Sequence, residues 1–180
     1  MNLVNLRAGD RVVYPGQGPC RVDQVISKLI DGKTVSFYQL SVLADGGAEL
    51  FVPVNKAKVV GLRMLVSLKE ASRILETLIE ATNFADGWRE RASDNVRLFN
   101  SGSALDLALV VKSLTEMSTR KSLSAGECKM LLKARNLLVR EICEVTGETE
   151  QQVEQRIDSA LRSSAAALSA KASRSASARR

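Results

Sequence analysis

Histidine is absent from this 180-residue chain, which removes the side chain that most often acts as a general base near neutral pH. Every catalytic triad or dyad built on histidine is therefore excluded. Cysteine is scarce, since Cys20, Cys128 and Cys143 are odd in number and widely separated. Such a set predicts neither a disulfide framework nor an ordinary zinc site.

Long hydrophobic runs are also missing. No segment approaches the roughly 18 consecutive apolar residues of a membrane span, and residues 1–7 lack the apolar region of a signal peptide. The sequence therefore predicts a cytoplasmic protein with no membrane partner.

Recognisable catalytic motifs are absent as well. The Gly16-Gln17-Gly18 stretch is not followed by the Gly-Lys-Ser/Thr of a phosphate-binding loop, and the carboxylates are scattered rather than paired. Serine and cysteine nucleophiles have no histidine to activate them. We expect a binding protein with no catalytic residues, no metal ligands and no cofactor. An enzyme with a magnesium site assembled from distant carboxylates is the alternative that the sequence leaves open.

Aromatic residues make up only 4% of the chain, and Trp88 is its only tryptophan. It lies in a polar stretch, Asp86-Gly87-Trp88-Arg89-Glu90-Arg91. One interpretation is a buried anchor at the start of a helix, because tryptophan has the largest apolar surface. The other is an exposed apolar wedge flanked by arginines, as in proteins that kink a nucleic-acid duplex.

Short β-rich runs fill the first third of the chain. Strands are predicted at 10–14, 20–30, 34–43, 48–52 and 59–62, separated by turn signals such as Asp31-Gly32. Five short strands in this space indicate a small curled sheet or barrel, since parallel pairing would need longer connections. We place this β domain at residues 1–63.

Helical periodicity follows from Ser67 onward, with capping signals at each start. Helices are predicted at 68–81, 87–100, 104–118, 125–146 and 149–162, forming an all-helical domain at 64–162. The fourth helix has an apolar stripe of Met130, Leu131, Ala134, Leu137, Leu138 and Ile142. Its polar face is predicted to hold Lys129, Lys133, Arg135, Arg140, Glu141 and Glu144 in solvent.

Positive charge is concentrated at the end of the chain. The net charge is +3 for residues 1–63, +1 for 64–146, −2 for 147–162 and +4 for 163–180. The last segment is almost entirely Ser, Ala, Lys and Arg, so we expect a disordered basic tail attracted to phosphates. A solubilising extension is the alternative. The predicted class is α+β, with a β domain, a helical domain and this tail.

Several blocks of sequence resemble a known family. They are Gly9-Asp10-Arg11-Val12-Val13-Tyr14-Pro15-Gly16-Gln17-Gly18, Val52-Pro53-Val54-Asn55-Lys56, Val60-Gly61-Leu62-Arg63, the tryptophan with its arginines, and Leu123–Leu131 with Ala134-Arg135. Together they resemble the CarD/CdnL family of bacterial transcription regulators over about residues 5–146. The resemblance implies a Tudor-like β domain that docks on the RNA polymerase β subunit, and a compact helical domain that contacts promoter DNA.

The resemblance also implies roles for individual residues. Lys28, Phe51 and Pro53 would face the polymerase, and Trp88, Arg89, Arg91 and Lys129 would face promoter DNA. The tryptophan would wedge into the minor groove at the upstream edge of the transcription bubble and so stabilise the open complex. We expect a monomer that associates with the nucleoid through the polymerase.

Some positions depart from the family pattern. Glu90, Ala92 and Ser93 follow the tryptophan where basic or aromatic residues are common, and Cys128 replaces a frequent basic residue. We therefore expect weaker DNA binding by the helical domain, partly compensated by Lys171, Arg174, Arg179 and Arg180 of the tail. The alternative function is a protein–protein adaptor that binds polymerase or another partner with little or no DNA engagement.

Overall fold

The computed structural model describes the backbone of residues 6–43, 47–80 and 88–177, and the side chains of 6–43, 47–80 and 90–167. In these residues a five-stranded antiparallel sheet precedes five α-helices, which confirms the predicted α+β class. The chain divides into two compact units between Val66 and Ser67, a few residues beyond the predicted boundary.

The first unit contains a single five-stranded antiparallel sheet. Its strands are β1 (Arg11–Tyr14), β2 (Gly18–Ile30), β3 (Lys33–Val42), β4 (Glu49–Pro53) and β5 (Arg63–Met64), in the spatial order β4-β3-β2-β1-β5. The hairpin between β2 and β3 is the one that the Asp-Gly signal predicts. Asp31 and Gly32 both have positive φ, 48° and 74°, as a two-residue type I′ turn requires.

The position of the fifth strand was predicted wrongly. Residues 59–62 belong to a turn that follows a short 3-10 helix at Val54–Lys56, and pairing with β1 begins only at Arg63. The backbone N–H of Leu62 donates to the carbonyl of Ala57 at 3.0 Å, so the segment satisfies its hydrogen bonds locally. Gly61 has φ +79°, and a Cβ there would lie 3.0 Å from the ring of Pro15, so the turn requires glycine.

One face of the sheet is buried and the other is open. Val22, Leu40 and Val52 lie on the buried face and are almost fully inaccessible. With the 3-10 segment and the N-terminal residues they form one hydrophobic core. Its buried members are Leu6, Val12, Cys20, Val22, Tyr38, Leu40, Val42, Val52, Ala57 and Leu62.

The second unit contains the helices α1 (Leu68–Ile79), α2 (Trp88–Ser101), α3 (Ala104–Ser118), α4 (Ala125–Thr146) and α5 (Glu150–Ser177). Reciprocal capping boxes at Ser67–Glu70 and Ser124–Glu127 confirm the predicted starts of α1 and α4. Ser103 caps α3 in the predicted way. Gly147 ends α4 in the left-handed conformation, with φ 74°.

The predicted apolar stripe of α4 faces the helical core, but one residue was assigned to the wrong face. Glu141 is only 1% exposed, although it was expected in solvent. It follows Leu137 by four residues and Leu138 by three, so it lies on the same side of the helix as the stripe. Arg135 is also engaged, because its guanidinium lies 2.7 Å from the carboxylate of Asp158 on α5.

Helix α5 extends beyond residue 162, where the sequence placed its end. Ser164 is buried, and its hydroxyl donates to the carbonyl of Glu80 at 3.5 Å. The alanine-rich composition after 163 explains the helical backbone as far as Ser177, because alanine has the highest helix propensity. The sequence predicted a disordered tail from residue 163, whereas the described backbone is helical as far as Ser177; residues 178–180 lie outside the described part. No helix that the structure describes is long and apolar enough to cross a membrane.

Candidate functional site

The three residues predicted to bind polymerase lie on one face of the sheet. In the strand register Lys28 is opposite Val35, and Phe37 is opposite both Ile26 and Pro53. Directly opposed residues of antiparallel strands project to the same side, so Lys28 and Pro53 share a face. Phe51 joins them two residues before Pro53 on β4. We call this surface the open sheet face.

Lys28 and Phe51 are in direct contact on the open sheet face. The ammonium nitrogen of Lys28 lies 4.7 Å from the centroid of the Phe51 ring, across the intervening strand β3. Cation–π contacts at exposed sites contribute about 0.5–1 kcal/mol. Phe51 remains 45% exposed, so the contact orders the ring without burying it.

The surroundings of this pair are apolar and amide-rich. Ile26, Phe37 and Pro53 are half-buried on the same face. The side-chain amide of Gln24 donates to the amide oxygen of Gln39 at 2.8 Å. An exposed aromatic ring surrounded by apolar and neutral polar groups is typical of a protein-binding surface, since aromatic residues are enriched at the centre of interfaces.

A bulge at Asp23 shapes the edge of this surface. The strand register shifts between Val22 and Gln24, which places the Asp23 carboxylate where it accepts a hydrogen bond from the hydroxyl of Ser41. Arg21 donates to the same carboxylate at 3.0 Å. The Ser41 bond, followed by Arg21, lowers the pKa of Asp23, so the carboxylate stays ionised and keeps both bonds near neutral pH.

The residues predicted to contact DNA lie on two helices. Trp88 and Arg89 are the first two residues of α2, and their side chains lie outside the described part of the structure. Both interpretations of Trp88, anchor and wedge, therefore stay predictions. Arg91 is half-buried, and its charge acts on the carboxyl group of Glu116 on α3.

Lys129 lies in the second turn of α4 and is exposed. Lys133, one turn further along the same side, is exposed too, and the i, i+4 spacing could have identified it from the sequence. Cys128 is exposed beside Lys129. Glu127 forms part of the helix cap, because its carboxylate accepts a hydrogen bond from the Ser124 backbone at 2.7 Å. Hydrogen bonds from the Ser124 backbone and side chain lower the pKa of Glu127.

A buried polar group on α3 was missed by the sequence analysis. The Lys112 side chain is fully buried, and its ammonium group donates to the carbonyl of Thr77 at 3.0 Å and to the carbonyl of Glu80. Burial lowers the pKa of Lys112 and raises the pKa of Glu116, one turn away. The sequence does contain a signal for this buried group, because Lys112 lies within the largely apolar run 107–114.

The cysteines and acids do not come together in the described part of the chain. Among those residues no group of three or more cysteine, aspartate or glutamate side chains could hold a metal ion. Cys20 is buried, and burial raises its pKa to about 11.

Fold and surfaces together define a class, a two-unit α+β protein in which a small antiparallel sheet with one open face precedes a helical unit. Comparison with known families agrees. The model of the CarD-like/TRCF RID domain matches residues 6–66, and the model of the CarD C-terminal domain matches residues 71–158. This chain belongs to the CarD/CdnL family.

Two relatives illustrate the match. The chain is 24% identical over 146 residues to the candidate transcription factor YdeB of Bacillus subtilis (strain 168), covering 81% of this chain and 95% of that protein. It is also 36% identical to the N-terminal domain of Myxococcus xanthus CarD, whose solution NMR structure contains 72 residues. That match covers 36% of this chain and 84% of the domain, with a TM-score of 0.30.

Proposed function

We propose that this protein is a transcription regulator that binds the RNA polymerase β subunit through the open sheet face and promoter DNA through its helical unit. Trp88 then stabilises the open complex as a minor-groove wedge at the upstream edge of the bubble. The observation that carries the proposal is the clustering of Lys28, Phe51 and Pro53 on one exposed face, in the unit that matches the RID domain model.

The open sheet face suits a protein partner. Phe51 is exposed and aromatic, and Lys28 holds a positive charge directly over its ring. A preordered aromatic anchor loses little side-chain entropy on binding, and aromatic residues are enriched among those that dominate interface energies. A partner surface with an apolar pocket beside an acidic group would complement this pair.

The helical unit suits a weak, tethered contact with DNA. A wedge between base steps costs a few kcal/mol of unstacking, and cationic contacts to phosphates offset part of this cost. The exposed ammonium groups of Lys129 and Lys133 on α4 are available for such contacts. Tethering to polymerase raises the effective concentration of promoter DNA, so a low intrinsic affinity is sufficient.

Binding to the isolated polymerase β subunit tests the first half of the proposal. Reversing the charge with Lys28→Glu should reduce binding of the full chain by at least about ten-fold, because it removes both the cation and the support of the Phe51 ring. Lys58→Glu makes the same charge change at an exposed lysine in the turn after the 3-10 helix, and should bind normally. Equal affinities for the two variants would contradict the proposed surface.

A protein–protein adaptor is the second candidate function, and one observation favours it. Arg91 is half-buried and interacts electrostatically with Glu116, so part of its charge is satisfied within the protein. The adaptor would bind the β subunit but leave the lifetime of the open complex unaffected by Trp88→Ala. If the protein is instead a regulator that engages DNA, Trp88→Ala should shorten the lifetime of the open complex while binding to the β subunit is retained.

A further inference from the structure

The hairpin formed by β2 and β3 extends beyond the other strands of the sheet. Strand β1 pairs with β2 only at residues 18–21, and β4 pairs with β3 only at residues 37–41. The pairing of β2 with β3 continues as far as Ile30 and Lys33, on either side of the turn. In the described part of the chain, residues 27–36 are therefore a two-stranded ribbon with no third strand beside it. We call this ribbon the hairpin arm.

The two faces of the hairpin arm carry different side chains. Lys28 lies on the open sheet face, whereas Ser27 and Leu29 lie on the opposite face, because successive residues of a strand alternate. Val25 lies at the base of that opposite face, and its partner in the strand register is Tyr38, a core residue that is only 4% exposed. The face that is buried in the centre of the sheet thus continues along the arm. We call this part of it the core-side face of the arm.

The core-side face of the arm is uncharged and partly apolar, yet it is open to solvent. Leu29 is 75% exposed and Val25 is 49% exposed. Thr34 is opposite Leu29, and the hydroxyl oxygens of Ser27 and Ser36 lie 3.1 Å apart across the arm. None of these five residues carries a charge, so the face offers no cation to a nucleic-acid phosphate. Its chemistry fits a neutral, apolar protein surface.

The tip of the arm favours a single hairpin geometry. Asp31 and Gly32 form the two-residue turn whose twist matches that of the flanking strands, and Asp31 has φ 48° although it is not glycine. A two-stranded hairpin is only marginally stable in water when both of its faces are solvated. A partner that covers both faces would therefore bury the apolar side chains and stabilise the arm at the same time.

We infer that the hairpin arm inserts into a cleft of the RNA polymerase β subunit, with Leu29 as the apolar anchor on the core-side face and Lys28 on the open sheet face. The choice of this partner rests on the proposed function. It is argued from continuity of the surface, because Lys28 and Leu29 are consecutive residues of one ribbon. A partner that covered the open sheet face alone would leave Leu29 in water.

The variant Leu29→Thr in the full chain tests this anchor, with the isolated β subunit as the binding partner. Threonine is favoured in strands, so the substitution retains the hairpin while it removes apolar surface. We expect the affinity for the β subunit to fall by about ten-fold, as for other buried apolar anchors of interfaces. The melting temperature of the free protein should stay unchanged, because Leu29 is exposed there.

Two further variants serve as controls. Val59 is 84% exposed in the turn after the 3-10 helix of the same unit, so Val59→Thr makes a similar change outside the arm and should bind normally. Leu29→Met keeps the apolar volume of the anchor and should also bind like the wild type.

Three results would overturn the inference. One is an affinity of Leu29→Thr equal to that of the wild type. Another is a lower melting temperature in Leu29→Thr, which would mean that the protein itself covers Leu29. The third comes from sedimentation of the free protein over a concentration series. Self-association of the wild type that Leu29→Thr abolishes would assign the core-side face to a second copy of the chain.

The Lys28→Glu variant separates this inference from the proposed function. If Lys28→Glu weakens binding to the β subunit and Leu29→Thr does not, the inserted arm is wrong and the open sheet face is retained as the interface. If Leu29→Thr weakens binding and Lys28→Glu does not, Leu29 is the anchor and the open sheet face is wrong. If neither variant weakens binding, both proposals are wrong.

Discussion

The three cysteines differ in exposure, and this difference predicts the order in which they react with a thiol reagent. Cys128 is exposed, Cys143 is half-buried with its pKa raised by burial, and Cys20 is buried with a pKa of about 11. Since thiolates react and thiols do not, a thiol reagent at pH 8 should modify Cys128 first, Cys143 slowly and Cys20 only on unfolding. Mass spectrometry of timed samples gives the order, and early labelling of Cys20 would contradict the buried core position.

Lysines and arginines on α4 also differ in availability. Lys129 is exposed, whereas Arg135 is paired with Asp158 at 2.7 Å. For promoter complexes, Lys129→Ala should make the slope of log affinity against log salt less negative by about 0.9, the value for one lost phosphate contact on duplex DNA. Arg135→Ala is the matched control and should leave the slope unchanged. Equal slopes for wild type and Lys129→Ala would remove Lys129 from the interface.

Residue roles were the least predictable part of the sequence. The structure places Lys28 over the ring of Phe51 on one surface, and the β2–β3 register that allows this depends on a short local turn. Their role in polymerase binding stays a prediction. The resemblance gave no indication of Lys112, whose hydrogen bonds to the end of α1 form only when α1 and α3 pack together. Tertiary contacts of this kind leave no periodic signal in the chain.

The residues that cap helix starts are the strongest local signals for secondary-structure elements, and the cap of α4 can be tested. Ser124 and Glu127 form a complete capping box at the start of α4. Ser124→Ala should lower the free energy of unfolding by about 1 kcal/mol, because the Glu127 backbone N–H loses its acceptor. The neighbouring exposed Ser122→Ala is the control. Urea unfolding followed by Trp88 fluorescence measures the difference, and equal midpoints would contradict the cap.

Most element boundaries were predictable because caps and turns are local. The failures have physical reasons. Val59 and Val60 favour a strand by composition, but backbone hydrogen bonds within residues 57–62 form a turn instead. The helix α5 continues past 162 because alanine sustains helical backbone without needing burial. Glu141 was misplaced because charge alone does not exclude a residue from an apolar stripe.

The C-terminal segment of the chain contains one residue that contacts the helical core and several basic residues, and two deletions can separate their effects. Deleting 163–180 removes Ser164, which is buried against the end of α1, whereas deleting 168–180 retains it. Both deletions remove Lys171, Arg174, Arg179 and Arg180. We expect only the longer deletion to lower the melting temperature, and both to weaken the salt dependence of promoter binding equally.

The control for this pair is the full chain measured across the same salt series. Unchanged salt dependence in both deletions would contradict a role for the basic tail in DNA binding. An equal loss of melting temperature in both would show that residues after 167, rather than Ser164, carry the stabilising contact.

The proposed function requires one chain to join polymerase to promoter DNA and requires Trp88 to stabilise the opened duplex. The most direct test is the lifetime of open complexes formed with polymerase holoenzyme and the full chain after a competitor is added. Trp88→Ala should shorten this lifetime by about ten-fold, as loss of about 1.4 kcal/mol of wedge and packing energy implies, while affinity for the β subunit stays unchanged. Equal lifetimes for the two proteins, with both bound to polymerase, would contradict the proposed role of Trp88.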